Sequence, residues 1–274
     1  MQNVLDKFNM KGRTVLVTGG GGLLGRQFAL ALAQAGADVM LADLACEAAA
    51  DQAEVIRAEG LSAAALAVDV IDPDSTRAMV EQTLARFGRL DVLINSAALD
   101  PKFDPQHQSE QAANAFETYS LEAWRKALDV NLTGMFLASQ AAVQPMLAQS
   151  QGVIINICST YGLNGPDQRI YSRPDSTQSY KPVYYSVTKA GVLGFTRYLA
   201  AYYAGKNVRV NALTPGGVYN QHDEVFVKAY SAKTILGRMA NLDEMSAAML
   251  FLASDASSYM TGANLIVDGG WTAW

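Results

Sequence analysis

The sequence predicts an α/β fold, a mainly parallel, doubly wound sheet with helices on both faces. Three observations lead there. Short β-branched and apolar runs alternate with helical patterns along nearly the whole chain, the order that builds a parallel sheet wrapped on both sides. The first run ends in four consecutive glycines, Gly19 to Gly22, ahead of a helical pattern, which reads as strand, tight turn and helix. Polar residues close the later strands at Asp43, Asp69, Asn95 and Ser159, on the carboxyl edge where such sheets bind ligands.

With 274 residues, half of them apolar, the chain can bury one sizeable core, and residues 1–274 are expected to form a single domain. The net charge of -5 argues against nucleic acid or an anionic membrane as the main partner. Cys46 and Cys158 lie far apart and make no disulfide framework, and no Cys and His spacing suggests a metal site. The N-terminus lacks a long apolar stretch and no segment reaches the ~18 uninterrupted apolar residues of a membrane span. A cytoplasmic protein is expected.

Arg13 to Thr18 (RTVLVT) reads as the first strand. Gly20, Gly22 and Gly25 then satisfy G-x-G-x-x-G, whose glycines let backbone approach a pyrophosphate and let helix pack on strand. The helix that runs on to Ala35 offers unpaired N–H groups to phosphates. A second strand, Ala37 to Ala42, ends at Asp43, eighteen residues beyond Gly25. A carboxylate there accepts hydrogen bonds from the adenosine ribose and repels a 2′-phosphate, selecting NAD over NADP. No Arg or Lys in the glycine loop offsets it. The location also suits an aspartate capping the helix that starts near Ala45.

A helix near Cys46 to Glu59, a strand at Ala63 to Val68, a helix from Pro73 to Phe87 and a strand at Leu90 to Asn95 continue the alternation. Residues 99–120 break it, as a functional loop or a plain surface one. A long helix is expected from Leu121 to about Leu147. Asn131 interrupts its apolar face, and a buried asparagine must be either a structural hydrogen-bond bridge or a holder of ordered water. A strand at Gly152 to Cys158 leads to Ser159 and Thr160. After the polar segment 162–183 come a helix to about Ala204 and a strand at Asn207 to Leu213. Residues 219–237 suit a flap over a site or a connecting helix. A helix from Asp243 to Leu252 and a strand at Asn264 to Val267 complete the order.

Tyr185 and Lys189 stand four residues apart and so share a helix face. A tyrosine hydroxyl titrates near pH ~10 and is a poor proton acceptor unless a nearby positive charge favours the phenolate. Lys189 is placed to supply that charge. The spacing alone is weak, because Tyr202 and Lys206 repeat it and lead only toward a strand.

In sequence, these motifs resemble the short-chain dehydrogenase/reductase family from Lys11 to nearly the C-terminus. The family's glycine loop corresponds to Thr18 through Gly25, its adenine-contacting Asp to Asp69, and its Asn-Asn-Ala-Gly to Asn95-Ser96-Ala97-Ala98. Its Pro-Gly turn at the nicotinamide corresponds to Pro215-Gly216, with Asp-Gly-Gly at Asp268 to Gly270. The resemblance implies a Rossmann-type sheet of seven strands in the order 3-2-1-4-5-6-7. It implies four catalytic residues. Tyr185 would exchange a proton with the substrate oxygen, Lys189 would lower its pKa and bind the ribose, Ser159 would hydrogen-bond that oxygen, and Asn131 would hold a water linking Lys189 to solvent. NAD would lie along Gly19, Gly20, Gly21, Gly22, Leu23, Leu24, Asp43, Asp69, Val70, Asn95, Gly216 and Val218, with Tyr185 and Lys189. The implied reaction interconverts a secondary alcohol and a ketone by general acid–base catalysis with a hydride-carrying cofactor. A homotetramer or homodimer, built partly on the Leu121 and Tyr185 helices, is implied as well. A non-enzymatic NAD-binding regulator would lack the four residues, and a sugar-nucleotide epimerase of the related longer family would carry a longer C-terminal region.

Three departures stand out. The family's middle loop glycine is Leu23 here, the usual Thr after the Pro-Gly turn is Asn220, and the Ser159 to Tyr185 distance exceeds the family's usual value, which points to an insertion. In that insertion Arg169, Arg173 and Lys181, with Tyr161, Tyr171 and Tyr180 nearby, suit a phosphorylated or carboxylated polyol or sugar. Ser159, Tyr161, Arg169, Arg173 and Tyr185 are the expected substrate contacts. The stretch from Lys181 to Asn220 and Gly237-Arg238-Met239-Ala240-Asn241 is also similar to oxidoreductases of flagellin modification, which implies a sugar derivative of bacterial surface-glycan synthesis. A simple polyol or a sugar acid is the alternative.

Overall fold

The computed structural model describes residues 3–100, 114–173 and 178–274. The strands are β1 Thr14–Thr18, β2 Asp38–Asp43, β3 Ala63–Ala67, β4 Val92–Asn95, β5 Gly152–Ile157, β6 Val208–Pro215 and β7 Asn264–Val267. They form one sheet of seven in the order β3-β2-β1-β4-β5-β6-β7, with every neighbouring pair parallel. The helices are α1 Leu23–Gln34, α2 Cys46–Ala58, α3 Pro73–Phe87, α4 Leu121–Leu128, α5 Gly134–Ala148, α6 Val183–Tyr202, α7 Glu224–Ser231 and α8 Ser246–Ala253.

Successive strand residues point to opposite faces, and β1 shows what this builds. Val15 and Val17 join a core with Phe28 and Leu32 of α1 and Met249 and Leu252 of α8. Leu16 joins the opposite core with Met79 of α3, Met146 of α5 and Leu199 of α6. Central strands covered on both faces need apolar residues at every position rather than alternate ones, and β1, β4 and β5 are buried throughout.

Thr18, Asn95, Asn156 and Ala212 stand side by side across the middle of the sheet, so the carboxyl ends of β1, β4, β5 and β6 open onto one edge. A buried polar network locks this row to the helices behind it. Asn95 Nδ2 donates to Asn156 Oδ1 at 2.8 Å and to Ser139 Oγ at 2.9 Å, while Asn156 Nδ2 donates to Thr196 Oγ1 at 2.9 Å.

Three elements differ from the sequence reading. The helix expected from Leu121 to Leu147 is interrupted by a π-helical turn at Asp129–Thr133, centred on Asn131. Such turns insert an extra residue into a helix and recur at functional sites. Residues 219–237 contain a true helix, α7, whose start is capped where Asp223 Oδ1 accepts from the Phe226 N–H at 3.0 Å. Strand β6 runs to Pro215, past the expected end at Leu213, because β7 pairs with it as far as Pro215 and Val267. Of the loop expected over 99–120, residues 101–113 lie outside the described residues, as do 174–177 of the insertion. Among the described residues no helix is long and apolar enough to cross a membrane.

Candidate active site

A cavity of about 780 Å³ runs along the carboxyl edge of the sheet, from the glycine loop and Asp43 past Tyr185 to Tyr171, Phe226 and Met239. Its first half is made by backbone. Gly19 takes a left-handed φ of +67°, and a Cβ there would stand 2.8 Å from the Ala97 backbone. A Cβ on Gly25 would lie 2.1 Å from the Gly19 carbonyl oxygen. These contacts draw the first turn of α1 onto the end of β1. Gly22 caps that turn with no side-chain hydrogen bond, so its N–H groups face the cavity as an anion site. Leu23 takes the first helical position and lines the cavity with Leu24, so the glycine missing there costs the loop no close approach. Gly20 and Gly21 instead pack outward, on Leu41 of β2 and Ala48 of α2.

Asp43 ends β2 on the cavity wall. Its Oδ2 accepts from the Gly21 N–H at 2.9 Å and its Oδ1 from the Ala45 N–H at 3.1 Å. Helix α2 has no side-chain cap, so the aspartate braces the loop rather than capping the helix. A carboxylate offers about four acceptor sites, which leaves capacity for ribose hydroxyls. Asp69 and Val70 line the cavity beyond Asp43, as do Gly216 and Val218. Asn95 sits in the network beneath the sheet edge and is not part of the wall. The left-handed Gly19, the uncapped helix start and Asp43 together fit a dinucleotide.

Tyr185 lies in the first turn of α6, just after Pro182. It is buried, faces Ser159 and lines the cavity with Ser159 and Lys189. Ser159 Oγ also accepts from the Tyr161 N–H at 3.2 Å. Lys189 Nζ donates to the Ile157 carbonyl at 2.9 Å and stands 5.7 Å from the Tyr185 ring centroid. Burial pushes the Tyr185 hydroxyl well above its usual pKa, the Asp100 charge adds to this, and the Ser159 hydrogen bond opposes it. Burial also pushes the Lys189 ammonium down. Desolvation thus sets the direction of the Tyr185 shift, opposite to the lowering expected from Lys189.

Asn131 does not open into the cavity. Its Oδ1 accepts from the Leu99 N–H at 2.7 Å, and its Nδ2 donates to the Leu99 carbonyl at 3.2 Å and to Thr188 Oγ1 at 3.1 Å. Of the two sequence readings its side chain makes the structural bridge, between the chain after β4 and the helix of Tyr185. Tyr202, of the second Tyr and Lys pair, is exposed and stacks on Tyr198 at 5.9 Å.

The family model described as enoyl-(acyl carrier protein) reductase matches residues 22–272. This chain belongs to the short-chain dehydrogenase/reductase family. It is similar to the cis-4-hydroxycyclohexanecarboxylate dehydrogenase of Sinomonas cyclohexanicum, with 36% identity over 95% of this chain and 97% of the relative. The crystal structure of a short-chain type dehydrogenase/reductase from Mycobacterium marinum superposes with a TM-score of 0.84 at 31% identity, covering 100% of both chains. A gluconate 5-dehydrogenase from Burkholderia cenocepacia J2315, solved in complex with NADP and tartrate, gives 0.84 at 32% identity over 99% of this chain and 100% of that one. As a short-chain dehydrogenase/reductase, the chain is an oxidoreductase of CH–OH groups that uses a nicotinamide cofactor.

The insertion and α7 build the second half of the cavity of this short-chain dehydrogenase/reductase. Tyr171 Oη donates to Tyr161 Oη at 2.9 Å, and the Tyr171 ring packs 5.7 Å from Phe226 of α7. Tyr230, also on α7, stacks 4.3 Å from Trp271 and accepts from the Gly217 N–H at 2.5 Å. Burial, partly offset by that hydrogen bond, pushes its hydroxyl up to about 12. The two arginines expected at the substrate are placed elsewhere. Arg169 points to solvent with its side chain 87% exposed and pairs with Asp167 at 2.7 Å. Arg173 turns inward, its side chain 10% exposed, and pairs with Asp223 at 2.7 Å. Asp167 also pairs with Lys233, so these charges tie the insertion to the α7 segment. Neither arginine lines the cavity; Lys181 and Tyr180 do.

Sequence reading missed Tyr230 and Asp100 on the cavity wall, and Arg26 and Trp271 behind it. Arg26, on the first turn of α1, donates from Nε to the Gly21 carbonyl at 2.7 Å, beside the Asp43 contact. Its signal was its place directly after Gly25. Tyr230 and Trp271 carried none beyond their aromatic character. Asp100 pairs with Lys181 at 2.5 Å and carried no signal, because its partner is 81 residues away. Asn220, at the position of the usual Thr, donates its N–H to His222 Nδ1 at 3.2 Å and lines the cavity. Among the described residues no cluster of His, Cys, Asp and Glu is arranged to hold a metal ion.

Proposed function

We propose that this short-chain dehydrogenase/reductase interconverts a secondary alcohol and a ketone with NAD, on a small polyol or hydroxy acid. One observation carries the reading: Tyr185, Ser159 and Lys189 share a single cavity with Asp43 and the glycine loop. Ser159 orients the substrate oxygen against the Tyr185 hydroxyl, which gives a proton in ketone reduction and takes one in alcohol oxidation. Lys189 holds its charge beside the phenol and, anchored on Ile157, keeps two N–H donors for ribose hydroxyls. The nicotinamide cofactor, when bound, supplies or accepts the hydride. Asn131 acts as a positioning residue through Leu99 and Thr188.

Asp43 supports NAD, because its carboxylate would face a 2′-phosphate at close range. The gluconate 5-dehydrogenase solved with NADP marks the contrast, so relative turnover with the two cofactors is the direct check. Preference for NADP would overturn the assignment.

The surface-glycan substrate rests on the resemblance to flagellin-modification oxidoreductases, and a phosphorylated or carboxylated polyol or sugar on Arg169, Arg173 and Lys181. Only Lys181 lines the cavity, and the wall around it is mostly aromatic, which favours the smaller alternative class of polyols and sugar or ring hydroxy acids. The curated relative named for a hydroxycyclohexanecarboxylate supports the same class. A spectrophotometric screen of NAD reduction over polyols, ring hydroxy acids, sugar acids and nucleotide sugars tests it. Turnover of polyols or hydroxy acids is expected; turnover of nucleotide sugars alone would restore the surface-glycan reading.

A further inference from the structure

Beside the phenol lies a cation with no place in the reaction derived above. Lys181 ends the insertion four residues before Tyr185. Its ammonium stands 4.0 Å from the Tyr185 ring centroid, closer than that of Lys189 at 5.7 Å. The Lys181 side chain is only 11% exposed, and its Nζ meets Asp100 Oδ1 at 2.5 Å. Both residues line the cavity.

Each partner is held from behind. The Lys181 N–H donates to Gln168 Oε1 at 2.9 Å, and its carbonyl accepts from Gln168 Nε2 at 3.1 Å. Asp100 follows Leu99, whose N–H and carbonyl are both bonded to Asn131. The pair therefore joins two anchored segments, with the Lys181 side chain largely buried and that of Asp100 about half exposed.

We propose that the Lys181–Asp100 ion pair sets the proton affinity of Tyr185, Lys181 favouring the phenolate and Asp100 restraining it. This rests on Tyr185 being the acid–base group of the proposed reaction. A cation over an aromatic face is attracted by the ring, and more strongly once the ring carries the negative charge of a phenolate. The Asp100 carboxylate acts with the opposite sign. Among the described residues the other titratable or charged groups at Tyr185 are Lys189 on its own helix and Cys158 and Tyr161 after β5; Lys126 of α4, Tyr171 of the insertion and His222 and Tyr230 of the α7 segment line the same cavity. Lys181 is in this scheme a positioning residue, acting through Tyr185.

The test measures the pH dependence of kcat/KM for alcohol oxidation with NAD in the wild type, K181M, K181R and D100N. In the same proteins tyrosinate absorbance is titrated, with the Tyr185 contribution isolated by subtracting Tyr185→Phe in each background. In oxidation the rate rises with pH as Tyr185 loses its proton. K181M should move that rise up by about 1 pH unit, the low end for a charge at this range, giving an about tenfold loss at low pH that recovers at high pH. D100N should move it down by a similar amount, and K181R should restore the wild-type profile. Profiles and tyrosinate titrations unmoved in both K181M and D100N, with only KM or kcat altered, would overturn the proposal in favour of a substrate contact. If the wild type oxidises no alcohol with NAD, the proposed function itself fails, while the tyrosinate titration still decides whether Lys181 and Asp100 act on Tyr185.

Discussion

The two ends of the cavity are built by opposite means. At the cofactor end, β1, the glycine loop, α1 and β2 follow one another in the chain, and the tight contacts are backbone on backbone. At the other end, Tyr161, Tyr171, Lys181, Phe226, Tyr230 and Trp271 come from four separate stretches, drawn together by side-chain contacts such as the Arg173 and Asp223 ion pair and the Tyr230 hydroxyl accepting from the Gly217 N–H. A backbone cradle has no freedom to yield, whereas a wall of side chains can exchange one partner for another. Substitutions should therefore act almost all-or-none at the first end and by degrees at the second.

The largest effect is expected where the ends meet. Tyr185→Phe should lower kcat by about 10²- to 10⁴-fold with NAD affinity nearly unchanged, read by steady-state kinetics beside cofactor titration; loss of NAD binding in this variant would mean the ends are not separable. Next comes Gly25→Ala, whose new methyl carbon would be forced to within 2.1 Å of the Gly19 oxygen. Cofactor affinity should fall by about 100-fold or more while the protein still melts cooperatively, and a mild change in calorimetric titration would break the comparison.

Asp43→Ser should narrow the preference for NAD over NADP by about tenfold or more, as expected when hydrogen bonds to a charged group are lost. The ratio of the two kcat/KM values reads it, with Arg26 close by as the cation that becomes less opposed. Smaller still is Arg173→Ala, which removes a part-buried ion pair and two bonds to the Ile170 and Ser172 carbonyls. It should cost about 2 kcal/mol of stability and raise substrate KM several-fold, with cofactor affinity unaffected. Arg169→Ala should change neither melting temperature nor KM, because that side chain faces solvent. An equal effect of the two arginine substitutions would dissolve the distinction between them.

The same contrast separates what could be read in the chain from what could not. The bounds of α3 and β7, Asp43 at the end of β2 and Tyr185 one turn ahead of Lys189 all follow from short-range causes, whereas the seven-strand order rests on the family resemblance. Strand residues alternate sides, helices need their start and stop residues, and a glycine-rich turn tolerates few other sequences. The π-helical turn at Asn131 could not be read this way, because it depends on Leu99 and Thr188 standing across from it. Nor could the direction of a charge: Arg169 and Arg173 look alike in sequence, and Asp223, fifty residues on, helps turn the second inward. The sequence by itself determined the strand and helix alternation, the glycine turn after β1 and the four-residue spacing of Tyr185 and Lys189, since each rests on neighbours within a few residues. Only the tertiary structure decided which cations line the cavity and which stand beside Tyr185, because long side chains take their direction from partners that folding alone brings near.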